Sequence, residues 1–211
     1  MICFYIDTTS NYLYTGLSKD NLLLIERKLN LSHDLSTFAL DEVRKMFLEA
    51  KVEPNEVDKI IVVNGPGSFT GIRIGVTIAK VYAYLLKKEI ITISSLEAMN
   101  ISSNEDKLHV PIINARRGYV YGAIYDGERT VLMEQYITLE KLKLILIGQK
   151  KDYVFISNDK FDDFGCKNYD PDILKIINAF KDRGGTDPHF VNPVYLKLTE
   201  AEENKMKDNL W

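Results

Sequence analysis

The 211-residue sequence predicts an α/β protein of two lobes built on one plan, each a mixed sheet flanked by helices. Two observations carry this. Both halves of the chain spell strand, strand, strand, helix, strand, helix. In both halves the leading strands are joined by turns short enough to force antiparallel pairing, whereas the later strand follows a helix, as a parallel crossover requires. The halves share no residue-level identity, so the repeat is one of topology.

ICFYID, NYLYTGLS and NLLLIERKL read as three strands separated by Thr8-Thr9-Ser10 and Lys19-Asp20. SHDLSTFALDEVRKMFLEA reads as a helix. Its residues Leu35, Phe38, Ala39, Val43, Met46, Phe47 and Ala50 recur at three-and-four spacing behind Ser and Asp at the start. VEPNEVD breaks it, KIIVVN is a short buried strand, and a second helix runs from about Phe69 to Lys88. EIITIS is a strand and SSLEAMN a short capped helical turn. In the second half LHVPIIN, YVYGAIYD and RTVLMEQYI are strands, the last two joined at Asp126-Gly127. TLEKLKLILI is helical and YVFIS a strand. DPDILKIINAFKDR is a helix with Pro171 in its first turn and Gly184-Gly185 at its end.

A three-stranded meander extended by parallel strands, with helices on the faces, is the plan of a ribonuclease-H-like unit. Two in tandem predict the actin-like (ASKHA) architecture. The division falls in the polar stretch SSNEDK, giving an N-terminal lobe of residues 1–103 and a smaller C-terminal lobe of residues 104–211 that ends in the charged tail TEAEENKMKDNLW, either a solvated helix or a short partner-binding segment.

The composition, 45% hydrophobic and 27% charged, is that of an ordinary folded protein. A net charge of -3, with Lys87-Lys88, Arg116-Arg117 and Lys150-Lys151 scattered, argues against a stand-alone nucleic-acid binder. Cys3 and Cys166 stand too far apart in sequence for a disulfide framework. The N-terminus lacks the pattern of a signal peptide, and no apolar run approaches the roughly 20 residues of a membrane span. These features predict a reduced, cytoplasmic protein with no membrane association.

NGPGSFTGIRIG, residues 64–75, is the densest cluster of backbone signals. A helix start attracts anions, so phosphate binding is one reading. The P-loop template lacks its lysine, and the G-x-G-x-x-G fingerprint begins at Gly65 and Gly67 but has Thr70 in its sixth position. Gly65-Pro66-Gly67 instead sets a sharp turn, after which Ser68 or Thr70 caps a helix and Gly71 follows. In IRIGVTIAKVYAYLL eleven of fifteen residues are apolar, and Arg73, Gly75, Thr77 and Lys80 form only a thin polar strip. Such a helix needs covering on more than one side. The helix before it adds Leu40 and Leu48 off its main stripe. Either both helices are interior to this chain, or they offer an apolar surface to another subunit, with Leu40, Leu48, Phe69, Thr70, Arg73, Val76, Thr77, Lys80 and Ala83 as the candidate partner interface.

GPGSFTGIRIG closely resembles the signature of the bacterial TsaB family of threonylcarbamoyladenosine-biosynthesis proteins. The resemblance extends to ICFYIDTTS, to His33, to NARRGYVY at 114–121 and to PVYLK at 193–197. Asn114 stands where an aspartate is usual, Tyr119 where a glutamate is common, and Lys197 where arginine is found. The last change loses the planar guanidinium fork. The resemblance implies an actin-like fold of two ribonuclease-H-like lobes with the second lobe reduced, and a non-catalytic subunit that pairs with the paralogue TsaD through N-terminal-lobe helices. With the ATPase TsaE it would support transfer of threonylcarbamoyl to the adenosine beside the anticodon of tRNAs reading codons that begin with A. It also implies that tRNA is met only through the complex.

The residues give little sign of independent chemistry. His33, His109 and His189 are far apart in sequence, so no metal is expected. No G-x-S-x-G elbow occurs, and Cys166 has no partner signature. Asp7, Thr8 and Thr9 preserve in outline a vestigial nucleotide site, but the second lobe offers Asn114-Ala115-Arg116-Arg117-Gly118, without an acid or paired glycines. Asp7 reads as closing the turn at Thr9 or Ser10. No cofactor of its own is expected, with ATP or ADP only at the complex interface. The same apolar patch would let the isolated chain pair weakly with itself. The alternatives are a small ATP-dependent phosphotransferase of the same superfamily and a stand-alone RNA-binding module.

Overall fold

Strands β1 (Ile2–Asp7), β2 (Tyr12–Lys19), β3 (Leu22–Asn30), β4 (Lys59–Val63) and β5 (Ile90–Ile93) form a sheet in the order β3-β2-β1-β4-β5. The coordinates are a computed structural model describing residues 1–162 and 164–197; the tail TEAEENKMKDNLW lies outside the described residues. β1 pairs antiparallel with β2, from Ile2 opposite Lys19 to Asp7 opposite Tyr14, and parallel with β4. β4 in turn pairs parallel with β5. Successive side chains point to opposite faces. Ile2, Phe4 and Ile6 therefore share a core with helices α1 (Leu35–Ala50) and α2 (Phe69–Leu86), while Cys3 and Tyr5 share one with helix α5 (Ile173–Phe180). Burial on both faces is why β1 and β4 read as continuous apolar runs.

A single 3₁₀ turn, Ser32–Asp34, precedes α1, which buries Leu35, Ala39, Val43, Met46 and Phe47. Phe38, a member of the predicted stripe, is exposed. α1 and α2 end alike, at Lys51 and Lys87 in the left-handed region. Phe47 stacks on Tyr82 at 5.6 Å, which locks the two helices together above Phe4. By length and composition alone the 18-residue α2, with a mean hydropathy of 1.3, is apolar enough to cross a membrane. Here that apolarity serves packing, because Gly71, Ile72, Gly75, Val76, Ile78, Ala79 and Ala83 are buried.

The second sheet, in the order β8-β7-β6-β9, comprises β6 (Leu108–Asn114), β7 (Tyr119–Asp126), β8 (Arg129–Thr138) and β9 (Tyr153–Ile156). It repeats the meander and carries one parallel strand where the first sheet has two, which is the expected reduction. Helix α4 (Leu139–Ile147) covers one face through Leu142 and Leu146. Helix α3 (Ser95–Ser102), closed at its start by the Ser94–Glu97 capping box, covers the other. Leu96 and Met99 pack on the second sheet while Ala98 packs on the first, so α3 joins the lobes.

The sequence differs from the structure at α5. Pro171 lies ahead of the N-cap Asp172 rather than in the first turn, and the helix ends at Phe180, before Gly184. Although α5 follows the second sheet in the chain, Ile173, Ile176, Ile177 and Phe180 pack under the first. Beyond it Thr186 bridges Ile90 at the β5 edge, and Val191 is buried in the α1–α2 core. The chain thus crosses back to the first lobe, because that sheet has a second apolar face to cover.

Candidate functional site

The glycine loop is threaded against two other backbones. Ser68 caps α2, its Oγ accepting from the Gly71 N–H at 3.2 Å. Its own N–H donates to the Thr9 carbonyl at 2.7 Å, and Thr8 Oγ1 donates to the Gly71 carbonyl at 2.7 Å. A Cβ at Gly67 or Gly71 would collide with the Thr9 or Thr8 carbonyl, and Gly65 lies against the Val194 carbonyl. Ser95 Oγ donates to the Pro66 carbonyl from α3. The glycines therefore permit a close approach between the β1–β2 turn and the start of α2. Asp7 acts at the same place. Its Oδ1 accepts from both the N–H and the hydroxyl of Thr9, at 2.8 and 2.7 Å, which closes the turn as the sequence predicted. Burial lifts the Asp7 carboxyl to about 6, against the two Thr9 hydrogen bonds that favour its charged form.

The exposed face of α2 corrects part of the sequence reading. Val76 (3% exposed) and Ala83 (0%) are packed in the core and present nothing to a partner, since both project towards the sheet. Phe69, Thr70, Arg73 and Thr77 are exposed, Lys80 half-buried. Besides Phe69, the large apolar residues of α2 that reach the surface are Val81 (51%), Tyr84 and Leu85 (71%). Sequence reasoning missed these three, although the polar strip through Arg73 and Thr77 already marked the solvent side and they flank its continuation at 100° per residue. By the same rotation Val81 and Leu85 lie on the side of Tyr82, towards α1. There Leu40 (56%) and Leu48 (64%) are exposed as expected.

The opposite flank of α2 carries a strap, residues 187–197, that the sequence did not reveal. Val194 N–H donates to the Asn64 carbonyl at 2.8 Å, and Asn64 Nδ2 donates to the Asn192 carbonyl at 3.0 Å. Lys80 Nζ donates to the Val191 carbonyl at 2.8 Å, and Arg73 Nε to the Tyr195 hydroxyl at 2.9 Å. The Tyr195 ring stacks on Phe69 at 5.1 Å, with the Arg73 guanidinium 3.8 Å from the Phe69 centroid. Arg73, Lys80 and Phe69 are thus engaged by the chain itself.

Between the lobes lies a cavity of about 540 Å³, bordered by Asp7, Ser68, Ser95, Asn114, Tyr121 and Asp159 among others. Asn114 Oδ1 accepts from Arg116 N–H at 2.8 Å, and its own N–H donates to Asp159 Oδ2 at 2.7 Å, so it shapes the β6–β7 hairpin. The histidines stay apart. His109 is buried and bonded to Asn100 and the Glu105 carbonyl, His189 meets the edge of Tyr84, and His33 is exposed ahead of α1. Among the described residues no three metal-ligating side chains converge.

A protein-family model described as TsaD, tRNA N6-adenosine threonylcarbamoyltransferase, matches residues 31–166. The tRNA threonylcarbamoyladenosine biosynthesis protein TsaB of Bacillus subtilis (strain 168) is 30% identical over 222 aligned positions, covering 96% of both chains. The chain belongs to the TsaB family. A second TsaB, from Buchnera aphidicola subsp. Acyrthosiphon pisum, is 28% identical over 59% of this chain and 70% of its own. Two solved structures share the fold. One is a protein described as similar to peptidase YeaZ from Pseudomonas aeruginosa, with a TM-score of 0.78 and 20% identity over 93% of this chain and 99% of that one. The other is YeaZ from Pseudomonas aeruginosa, with a TM-score of 0.76 and 21% identity over 92% and 99%. The signature loop of this chain joins α2 to the β1–β2 turn.

Proposed function

We propose that this member of the TsaB family is a non-catalytic subunit whose α1–α2 face docks a TsaD-type paralogue. With a TsaE-type ATPase the pair would support transfer of threonylcarbamoyl to the adenosine beside the anticodon of tRNAs reading codons that begin with A. A part in tRNA threonylcarbamoyladenosine biosynthesis follows from family membership. The observation that carries the docking reading is the set of large apolar side chains exposed on two adjacent helices, Leu40 and Leu48 on α1 and Val81 and Leu85 on α2.

The non-catalytic assignment rests on how the signature residues are used. The donors and acceptors of a phosphate site are committed within the chain: Asp7 to Thr9, Ser68 to Thr9 and Gly71, Thr8 to Gly71. The facing turn of the second lobe supplies Arg116 and Arg117 in place of an acid and paired glycines. We assign the chain no cofactor of its own, place any ATP or ADP at the subunit interface, and locate the complex in the cytoplasm. The same face would support weak self-association when the partner is absent.

Co-purification with the TsaD-type protein of the same cell tests this. Leu85→Asp and Val81→Asp should abolish capture while leaving the far-ultraviolet spectrum and melting temperature of the chain unchanged. Capture undiminished by both would overturn the docking reading. Tight Mg-ATP binding with turnover by the isolated chain would overturn the non-catalytic one.

A further inference from the structure

We propose that the outer end of the second sheet is a base-stacking contact for RNA, made by Tyr119, Tyr121 and Tyr136 with Arg116, Arg117 and Lys197 around them. This rests on the reading above that the complex acts on tRNA. On β7, residues 119, 121, 123 and 125 point to one face, and across the ladder Tyr136 stands opposite Tyr121. Where α3 covers this face the residues are sealed: Ala123 and Tyr125 are buried, and the Tyr125 hydroxyl donates to Glu134. Beyond that cover the row continues as three half-buried tyrosines, of which Tyr121 lines the interlobe cavity. Tyr119 and Tyr136 stack at 4.5 Å and 7°, with Tyr121 5.8 Å from Tyr136.

Cross-strand aromatic pairs also stabilise sheets. What sets this row apart is the charge around it. Arg116 and Arg117 form the tip of the β6–β7 hairpin, both with left-handed backbone (φ 67° and 53°) that costs non-glycine residues about 1 kcal/mol or more each. The strap brings Lys197 Nζ to 5.6 Å from the Tyr136 centroid. Among the described residues none of these three cations is ion-paired, whereas the nearby Asp7 and Asp159 accept from backbone N–H groups of the chain. Aromatic rings that keep an accessible edge or face beside such cations bind unstacked bases and phosphates regardless of sequence. Residues two apart on a strand lie about 7 Å from each other, so the row spans more than one base and fits a strand better than a mononucleotide.

The test measures binding of a fluorescent in vitro transcript of a tRNA reading codons that begin with A to the chain assembled with its TsaD-type partner. Tyr136→Ala and Tyr119→Ala should each weaken binding by about fivefold or more, and Tyr136→Phe should retain wild-type affinity. Arg117→Gln should lower the slope of log affinity against log salt by nearly one. Assembly on gel filtration should be unchanged in all four. Intact complexes in which the alanine and Arg117→Gln variants bind as tightly as wild type would overturn the proposal and leave the subunit reading standing. Displacement of the transcript by stoichiometric AMP would overturn it in favour of a mononucleotide site. Failure of the wild-type chain to assemble would remove the subunit reading, and this inference with it.

Discussion

Thr8 and Gly71 touch across 63 residues of sequence: the threonine hydroxyl donates to the glycine carbonyl at 2.7 Å, and the Thr8 carbonyl fills the space where a Cβ at Gly71 would stand. The signature loop is therefore a weld between the first hairpin and α2, and its glycines answer to distance rather than to turn conformation alone.

Gly71→Ala tests the weld by sign. In a helix, alanine is worth about 1 kcal/mol over glycine, so a free surface position would be stabilised. Here the added methyl meets backbone that cannot yield without moving β1 or α2, and overpacking of this kind costs about 1–3 kcal/mol. The urea midpoint of Gly71→Ala should fall. A rise would show that the approach is looser than described.

Val76→Asp and Leu85→Asp should separate core from surface on one helix. Val76 is packed among the core residues of the first sheet, so an unpaired carboxylate there should cost on the order of 4 kcal/mol and unfold much of the population. Leu85 is exposed, and the same charge should change stability by less than about 0.5 kcal/mol. Thermal melts of the isolated variants check both.

That contrast also shows how far the sequence could be read. The succession of strands and helices and the crossovers were legible, because short turns between apolar strand-like runs and three-and-four spacing in the helices are local signals. So was the role of Asp7, since Asp followed two residues later by a threonine is a local turn device. Val76 and Ala83 were misplaced because the eleven apolar residues in fifteen were read as one surface, although the polar strip through Arg73 and Thr77 marks the side away from the sheet. The strap was invisible for a different reason: Lys80 to Val191 and Arg73 to Tyr195 are single contacts over more than a hundred residues, and no local periodicity encodes them. The helix α5 showed its amphipathic stripe, but the stripe could not say which of two sheets it would cover.

Shortening Val191 should loosen the strap. The side chain is buried in the α1–α2 core, and Val191→Ala should cost about 1–2 kcal/mol through lost apolar burial. Because the strap crosses α2 on a few contacts, Lys80 to the Val191 carbonyl and Arg73 to the Tyr195 hydroxyl among them, the loss should fall locally. Amide exchange at Val194, which donates to Asn64, should accelerate before that of β1. Equal acceleration throughout would mean that the strap is an integral part of the cooperative core.

Asp7→Asn should make the protein more stable at neutral pH. Burial raises the carboxyl from 3.8 in the unfolded chain to about 6 in the folded one. The native state therefore holds the proton more tightly. Below pH 3.8 both states are protonated and the residue costs nothing. As pH rises from there to about 6, the unfolded chain loses its proton first and stability falls, reaching a deficit of about 3 kcal/mol that persists above pH 6. Asparagine keeps an Oδ1 acceptor for the Thr9 N–H and hydroxyl while removing the charge. The variant should gain about 1–3 kcal/mol over wild type at pH 7, and the gain should vanish towards pH 4. Denaturation at several pH values measures both limbs. A variant less stable than wild type at pH 7 would mean that the Thr9 hydrogen bonds to the ionised carboxylate outweigh its desolvation, and that Asp7 stays charged throughout.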